Sequence, residues 1–264
     1  MTVRDTLHER WREWGPWVAA RAGEVATALA FSTSLPLRRP APADGNLAQA
    51  VWALPIAGLA VGVVGSVVYA LVHRLGLPAW PAAALALAAT VVVTGALHED
   101  GLADTADGFG GGQAREQKLA IMRDSRIGTY GVCALALALL LRASAVAMIA
   151  APGAVAAALI ASHTAGRAAV PLLMLFVGPA RLDGLAYAAG RPAPAGAAAA
   201  AAIGLVVLFA GLGFVHALAA AVLVAIVLAL TGALSLRQIG GQTGDVLGAL
   251  EQFGEIVILL VAAG

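Results

Sequence analysis

PAAALALAATVVVTGALHEDGLADTADGFGG, residues 81–111, runs from an uncharged apolar stretch straight into a segment carrying Glu99, Asp100, Asp104 and Asp107. The first half approaches the roughly 20 apolar residues that cross a hydrocarbon core about 30 Å thick. Comparable runs recur along all 264 residues, of which 61% are hydrophobic and 12% charged, against roughly 25% charged in ordinary soluble domains. This composition excludes a typical soluble globule. It predicts an all-α fold, a polytopic transmembrane helical bundle of about six to eight spans built as one integral-membrane catalytic domain over residues 1–264. The abundant Gly and Ala suit close helix packing in lipid.

Working outward, candidate spans fall at 22–36, 51–73, 79–97, 129–150, 153–177, 197–213 and 215–236, with a shorter apolar end at 254–263. Residues 3–24 mix Val3, Leu7, Trp11, Trp14 and Trp17 with four arginines and four acids. That mixture predicts an interfacial helix, over about residues 1–21, rather than a span. It is also too charged for a signal-peptide core. A net charge of +1 gives no basis for a nucleic-acid partner; the lipid bilayer is the partner that composition demands. The lone Cys133 can form no intrachain disulfide and is expected to pack within its apolar run.

Polar segments at 37–50, 98–128, 178–196 and 237–253 alternate with short connections. With all seven main spans in place, the long segments share one face and carry Arg38, Arg39, Arg115, Lys118, Arg123, Arg126, Arg181, Arg191 and Arg237, whereas the short ones contribute Arg74. The positive-inside rule makes the long face cytoplasmic.

On a continuous helix, Asp100, Asp104 and Asp107 lie within an arc of about 60°. Like charges this close repel, which argues for a divalent cation between them. An all-oxygen set suits Mg²⁺, which usually completes its coordination with waters and substrate phosphates. Asp124 could rejoin the cluster if the chain turns through Gly108 and Gly110–Gly112. Glu99, projecting about 100° from Asp100, reads as a supporting or solvent-facing residue. His98 stays open between ligand, acid or base, and interfacial side chain.

Downstream, REQKLAIMRDSRIGTYG at 115–131 supplies Arg123 and Arg126 on either side of Asp124. A metal beside guanidinium groups can hold a diphosphate, because Arg grips oxygens bidentately. Arg115 and Lys118 read as membrane-face anchors, and Ser125 and Thr129 as phosphate contacts or helix caps. His163 and Arg167, four apart in an apolar segment, pair with a bundle carboxylate or contact phosphate. GGQTGDVLGALEQFGE at 240–255 reads as a flexible polar turn carrying Asp245, Glu251 and Glu255. It lacks the GK[ST] of a Walker loop and can bring Asp245 beside the first aspartates.

HEDGLADTADG, then IMRDSRIGTYG and, much later, GGQTGDVLGA occur in the order found in the cobalamin synthase family, adenosylcobinamide-GDP ribazoletransferase, and the chain resembles that family from about Ala26 to its C-terminus. The resemblance implies a multispan enzyme of the bacterial inner membrane that requires Mg²⁺ and works on the cytoplasmic side. Its substrates would be adenosylcobinamide-GDP and α-ribazole or α-ribazole 5′-phosphate, its products GMP and adenosylcobalamin or its phosphate, and its partners other membrane-associated corrinoid enzymes. The family's acidic motif maps onto Asp100, Asp104 and Asp107, with Asp124, as metal-binding and catalytic residues. Its Arg-Asp-Ser-Arg motif maps onto Arg123, Asp124, Ser125 and Arg126, and its Thr-Gly-Asp motif onto Thr243, Gly244 and Asp245. Arg123, Ser125, Arg126, Thr243 and Asp245 thus become substrate-binding candidates. Arg167 joins them through a looser match to a Ser-Arg helix segment.

Two positions depart from the family pattern: Glu99 replaces Leu in His-Leu-Asp-Gly, and Ser34 in FSTSLP replaces the arginine of FxTRLP. Arg38 or Arg39 could fill the missing charge. Two rival readings differ from the motifs. A CDP-alcohol phosphotransferase would carry DxxDGxxAR, but Gly111 and Gly112 follow DTADG where the AR pair belongs. A cation or metabolite transporter would show an internal repeat or paired discontinuous helices, and no convincing repeat is present.

Overall fold

The computed structural model describes residues 3–36 and 47–264, with side chains from Trp14 onward. Arg38 and Arg39, and the side chains of Val3, Leu7 and Trp11, lie outside the described residues. The described chain is helical apart from its connections and one isolated parallel bridge between Pro179 and Gln242. In order come α1 (Val3–Ser32), α2 (Leu47–Ala50), a 3₁₀ turn (Val51–Ala53), α3 (Leu54–Arg74), α4 (Ala79–Thr94), α5 (Leu97–Gly111) and α6 (Arg115–Ile121). Then follow α7 (Thr129–Ile149), α8 (Pro152–Phe176), α9 (Gly184–Ala189), α10 (Pro194–Ile239) and α11 (Gly244–Ala263).

By length and composition, five stretches can cross a membrane: Leu47–Arg74, α7, α8, α10 and α11. A sixth arises if α4 and α5, bent by 90° relative to each other, form one broken span. The multi-pass bundle is therefore as expected, while the number of spans is five or six. The expected span at 22–36 is not among them, because residues 22–32 are the end of one 30-residue helix, α1, that begins in the charged tail. Trp14 and Trp17 are exposed on this helix, edge to face. The two spans expected at 197–213 and 215–236 form one 46-residue stretch broken at Gly213, whose φ of 71° and ψ of 175° leave the helical region. The largest departure is α11. The segment expected to be a polar turn to residue 253 is helical from Gly244, because its acids are paired inside the bundle.

Helix α8 lies at the centre, packed against α3, α10 and α11. Small residues let it approach α3. A Cβ on Gly58 would sit 2.1 Å from the His163 carbonyl oxygen, and one on Gly62 would sit 2.7 Å from Ile160 Cα. This is the close backbone contact that small residues at four-residue spacing permit in lipid. Cys133 is exposed on the outer face of α7, not packed in a core.

Between α4 and α5 the chain turns through Gly95 (φ 63°) and Ala96 (φ 57°), both left-handed. The alanine costs about 1–2 kcal/mol there. Ser34 lies against this turn: its N–H donates to the Val93 carbonyl at 2.7 Å, and its hydroxyl occupies the space that a Cβ on Gly95 would take. The turn sets α5 and its aspartates at 90° to α4.

Candidate active site at the crossing of helices α5 and α11

Helices α5 and α11 cross at two glycines. A Cβ on Gly101 would meet the Asp245 carbonyl oxygen at 2.8 Å, and one on Gly248 would meet the His98 backbone at 3.3 Å. This contact brings the Asp245 turn beside the acidic face of α5. Along that face Asp100 is exposed, Asp104 half-buried and Asp107 buried. The charges acting on Asp104 are Asp100, Asp245 and Asp107, opposed by Arg181. Four carboxylates thus lie close enough to repel one another beside one guanidinium, a repulsion that a divalent cation would relieve, although among the described residues their oxygens are not gathered within 4.8 Å of one another as a ready ligand group. Hard oxygen donors without sulfur or imidazole suit Mg²⁺ rather than a softer ion.

The buried end of this face does a second task. Gly128 N–H donates to Asp107 Oδ2 at 2.7 Å, and Gly131 N–H donates to Oδ1 at 2.8 Å. Asp107 therefore satisfies free amides at the N-terminus of α7, where a negative charge also complements the helix dipole. It fills the capping place that sequence left open for Ser125 or Thr129. No side chain of the local sequence caps α7, and Ser125 is exposed.

Asp124 turns toward Arg126, accepting from its backbone N–H at 3.1 Å and from Nε at 3.0 Å. These hydrogen bonds hold the Asp124 carboxyl down at about 2 and raise the Arg126 guanidinium above its ordinary value. Arg126 is exposed, and Arg123 reaches Asp183 at 2.5 Å, tying the α6–α7 connection to the segment before α9. Arg115 and Lys118 are anchors of the fold. Arg115 Nε donates to the Ile239 carbonyl at 2.8 Å, and Lys118 bonds Gln238, so α6 caps the end of α10.

The glycine-rich turn at 240–244 is shaped by packing. Gly240 (φ 76°) ends α10, and a Cβ on Gly241 would sit 2.6 Å from the Gly178 carbonyl oxygen. Gln242 exchanges backbone hydrogen bonds with Gly178 and Ala180 at 2.9 and 2.7 Å. Thr243 caps α11 by accepting from Val246 N–H at 3.3 Å, and its hydroxyl donates to Asp245 Oδ2 at 3.1 Å. It steers Asp245 toward the cluster.

Arg181, read in the sequence only as part of a positive face, is a candidate site residue that sequence reasoning missed. It lines the cavity described below, lies 3.7 Å from Asp245 Oδ2, and leaves Nη1 buried without a hydrogen-bond partner among the described residues. Nothing in its local pattern marks it, since the bridge at Gln242 sets its position.

Behind the aspartates is a buried charge network. Arg142, 1% exposed, bonds Glu99 at 3.0 Å, Glu255 at 2.8 Å and Gln252 at 2.7 Å. Arg167 meets Glu251 at 2.5 Å and Glu255 at 3.0 Å, and His163 pairs with Glu255. Glu99 is therefore buried and paired, not solvent-facing. Arg142 was visible in sequence as a lone charge in an apolar span, a signal that marks an interior partner. Of the two alternatives for Arg167, pairing with bundle carboxylates is present, and the residue also lines the cavity. His163, Glu251 and Glu255 place ligand atoms within 4.8 Å of one another, close enough to hold a metal ion. Arg142 and Arg167 already neutralise those glutamates.

A cavity of about 180 Å³ opens between α5, α8, α9 and α11, lined by Asp100, Asp245, Arg181, His98 and Arg167 among apolar side chains. An acidic cluster, a partly unpartnered guanidinium and an adjoining cavity can together hold a phosphorylated substrate and place a hydroxyl beside carboxylates.

The sequence profile of the cobalamin-5-phosphate synthase family matches residues 24–263. The adenosylcobinamide-GDP ribazoletransferase of Bradyrhizobium diazoefficiens is 57% identical over 91% of this chain and 93% of its own length. The proteins of the same name from Mesorhizobium japonicum and Azorhizobium caulinodans are 50% and 45% identical, over 91% and 90% of this chain and 92% and 94% of their own lengths. No solved structure matches the chain.

Proposed function

The chain belongs to the cobalamin-5-phosphate synthase family, and on that premise we propose that it transfers the adenosylcobinamide phosphate of adenosylcobinamide-GDP to the 5′-hydroxyl of α-ribazole or α-ribazole 5′-phosphate. GMP leaves, and adenosylcobalamin or its 5′-phosphate forms. The observation that carries the site assignment is the cavity that Asp100, Asp245 and Arg181 line together, where the α5–α11 contact at Gly101 sets Asp245 beside the acidic face and Arg181 lies 3.7 Å from Asp245 Oδ2.

Asp100, Asp104 and Asp107 would hold Mg²⁺, with Asp245 completing the set. Bound there, Mg²⁺ would neutralise charge on the diphosphate oxygens. Arg181, on the cavity wall, grips diphosphate oxygens with its guanidinium. The ribazole 5′-hydroxyl attacks the phosphorus attached to cobinamide, the bond to the bridging oxygen breaks, and GMP departs with that oxygen. The hydroxyl proton passes to a carboxylate of the cluster. Arg126, oriented by Asp124, and Arg123 meet the substrate at the exposed rim, so Asp124 acts through Arg126. Ser125 stands on the same rim. Thr243 positions Asp245, and Arg167 supports the inner cavity wall. The N-terminal part of α1 lies on the membrane surface, the catalytic face is cytoplasmic, and the whole chain forms one catalytic domain in the bacterial inner membrane.

Membranes carrying the purified protein, supplied with adenosylcobinamide-GDP, α-ribazole and Mg²⁺, are expected to release GMP and the complete corrinoid, followed by mass spectrometry. Chelation of the metal should stop the reaction. Absence of product with either ribazole form would overturn the assignment.

A further inference from the structure

The cavity beside the aspartates, about 180 Å³, is smaller than the roughly 300–1,000 Å³ of sites that enclose a drug-sized ligand. It admits one fused ring system and excludes a macrocycle. Val51 and Leu54 at the entrance to α3, Val170 and Met174 of α8, Leu185 of α9 and Leu247 of α11 make most of its wall apolar. The polar side chains are Ser32 of α1, His98 and Asp100 of α5, Arg167 of α8, Asp245 in the first turn of α11, and Arg181. Two of the polar residues, Arg167 and His98, are already engaged with the buried network. A ligand seated here has an apolar body and presents a polar end to Asp100 and Asp245.

Given the transferase reading above, on which this inference rests, two parts of the substrates are fused heteroaromatic bicycles: the dimethylated benzimidazole of α-ribazole and the guanine of the nucleotide. Their edges differ. Guanine carries a carbonyl, a ring N–H and an amino group that each need a partner once removed from water; with Asp100, Asp245 and Arg181 given to the metal and diphosphate on this reading, and Arg167 and His98 engaged, the side chains of the wall leave Ser32 Oγ, unpartnered among the described residues, to meet them all. Dimethylbenzimidazole turns two methyl groups and an apolar ring edge outward. We infer that the cavity seats the benzimidazole of α-ribazole, with its ribose 5′-hydroxyl directed to the acidic cluster, while guanine and corrin remain outside.

In steady-state assays, removing a methyl group from the base is expected to lower kcat/KM about tenfold. Met174→Trp, which fills the cavity, should raise KM for α-ribazole about tenfold while leaving KM for adenosylcobinamide-GDP within about twofold. Since the tryptophan variant can fail to fold, the wild-type protein is also photolabelled with an azide-bearing benzimidazole riboside. Label is expected on α8, α9 or α11, displaced by α-ribazole and not by GMP. Label elsewhere, label displaced by GMP, or a KM shift confined to the nucleotide substrate would overturn the inference. Turnover by the wild-type control separates the two claims: GMP release with mislocated label sinks only the cavity assignment, and no GMP release sinks the transferase reading beneath it.

Discussion

Glu99 turns away from the aspartate beside it and pairs with Arg142 at 3.0 Å inside the bundle. In the buried network two guanidiniums face three carboxylates. Removing a carboxylate therefore costs less than removing a cation. Glu99→Leu leaves Arg142 bonded to Glu255 and Gln252, whereas Arg142→Leu strands buried negative charge and is expected to cost about 3–5 kcal/mol. Thermal unfolding in detergent should rank the two in that order. A larger loss for Glu99→Leu would show that the network is not held by charge balance.

Substitutions at Asp104 and Asp107 are expected to separate catalysis from architecture. Asp104→Asn should lower turnover at least about 100-fold with little change in unfolding temperature, since loss of a group stabilising transition-state charge costs on this scale. Asp107→Asn should lose turnover too. It should also lose about 1.5–3 kcal/mol of stability, because one of two charge-assisted bonds to the α7 amides goes with it. Glu255→Gln, which alters the other grouping able to hold a metal, should leave the Mg²⁺ dependence of turnover unchanged. A shifted Mg²⁺ requirement in Glu255→Gln alone would move the metal to the buried trio.

Arg181 is expected to bind the nucleotide substrate. Arg181→Ala should raise KM for adenosylcobinamide-GDP by about 10–100-fold, the value of one hydrogen bond to a charged group. Arg181→Lys should recover only part of this loss, because an ammonium cannot grip two oxygens in one plane. The KM for α-ribazole is the control. Equal increases in both would assign Arg181 to the fold instead.

The Asp124–Arg126 pair sets a pH window. Its folded-state value of about 2 lies below the ordinary aspartate value, so the pair's stabilisation is fully present above about pH 4. It is lost as the pH falls through about 2. Carboxyl carbon NMR should show Asp124 titrating at the low value and returning to the ordinary range in Arg126→Ala. Titration near the ordinary value in both proteins would refute the pair.

Much of the site was legible because it is local. Asp100, Asp104 and Asp107 share a helical face through their spacing alone, and the Gly-rich stretch at 240–244 announces a tight connection. Its purpose was not legible: Gly241 and Gly248 are needed because the Gly178 and His98 backbones approach them, and such contacts leave no mark in local pattern. The helix over 244–253 escaped the apolar pattern because Glu251, Gln252 and Glu255 interrupt it. Their cost is offset by Arg142, Arg167 and His163 on α7 and α8.

The chain's sequence by itself determined a helical membrane bundle, the acidic face of α5 and the family, because hydropathy, helical periodicity and motif order are properties of neighbouring residues. Only the tertiary structure decided that Asp245 and Arg181 lie beside that face, that Asp107 also caps α7, that Asp124 pairs with Arg126, and that Glu99 belongs to the interior. Each of these depends on which helices cross and at what distance. The crossing of α5 and α11 is set by the backbone approach that Gly101 and Gly248 allow, a contact between residues far apart in the chain.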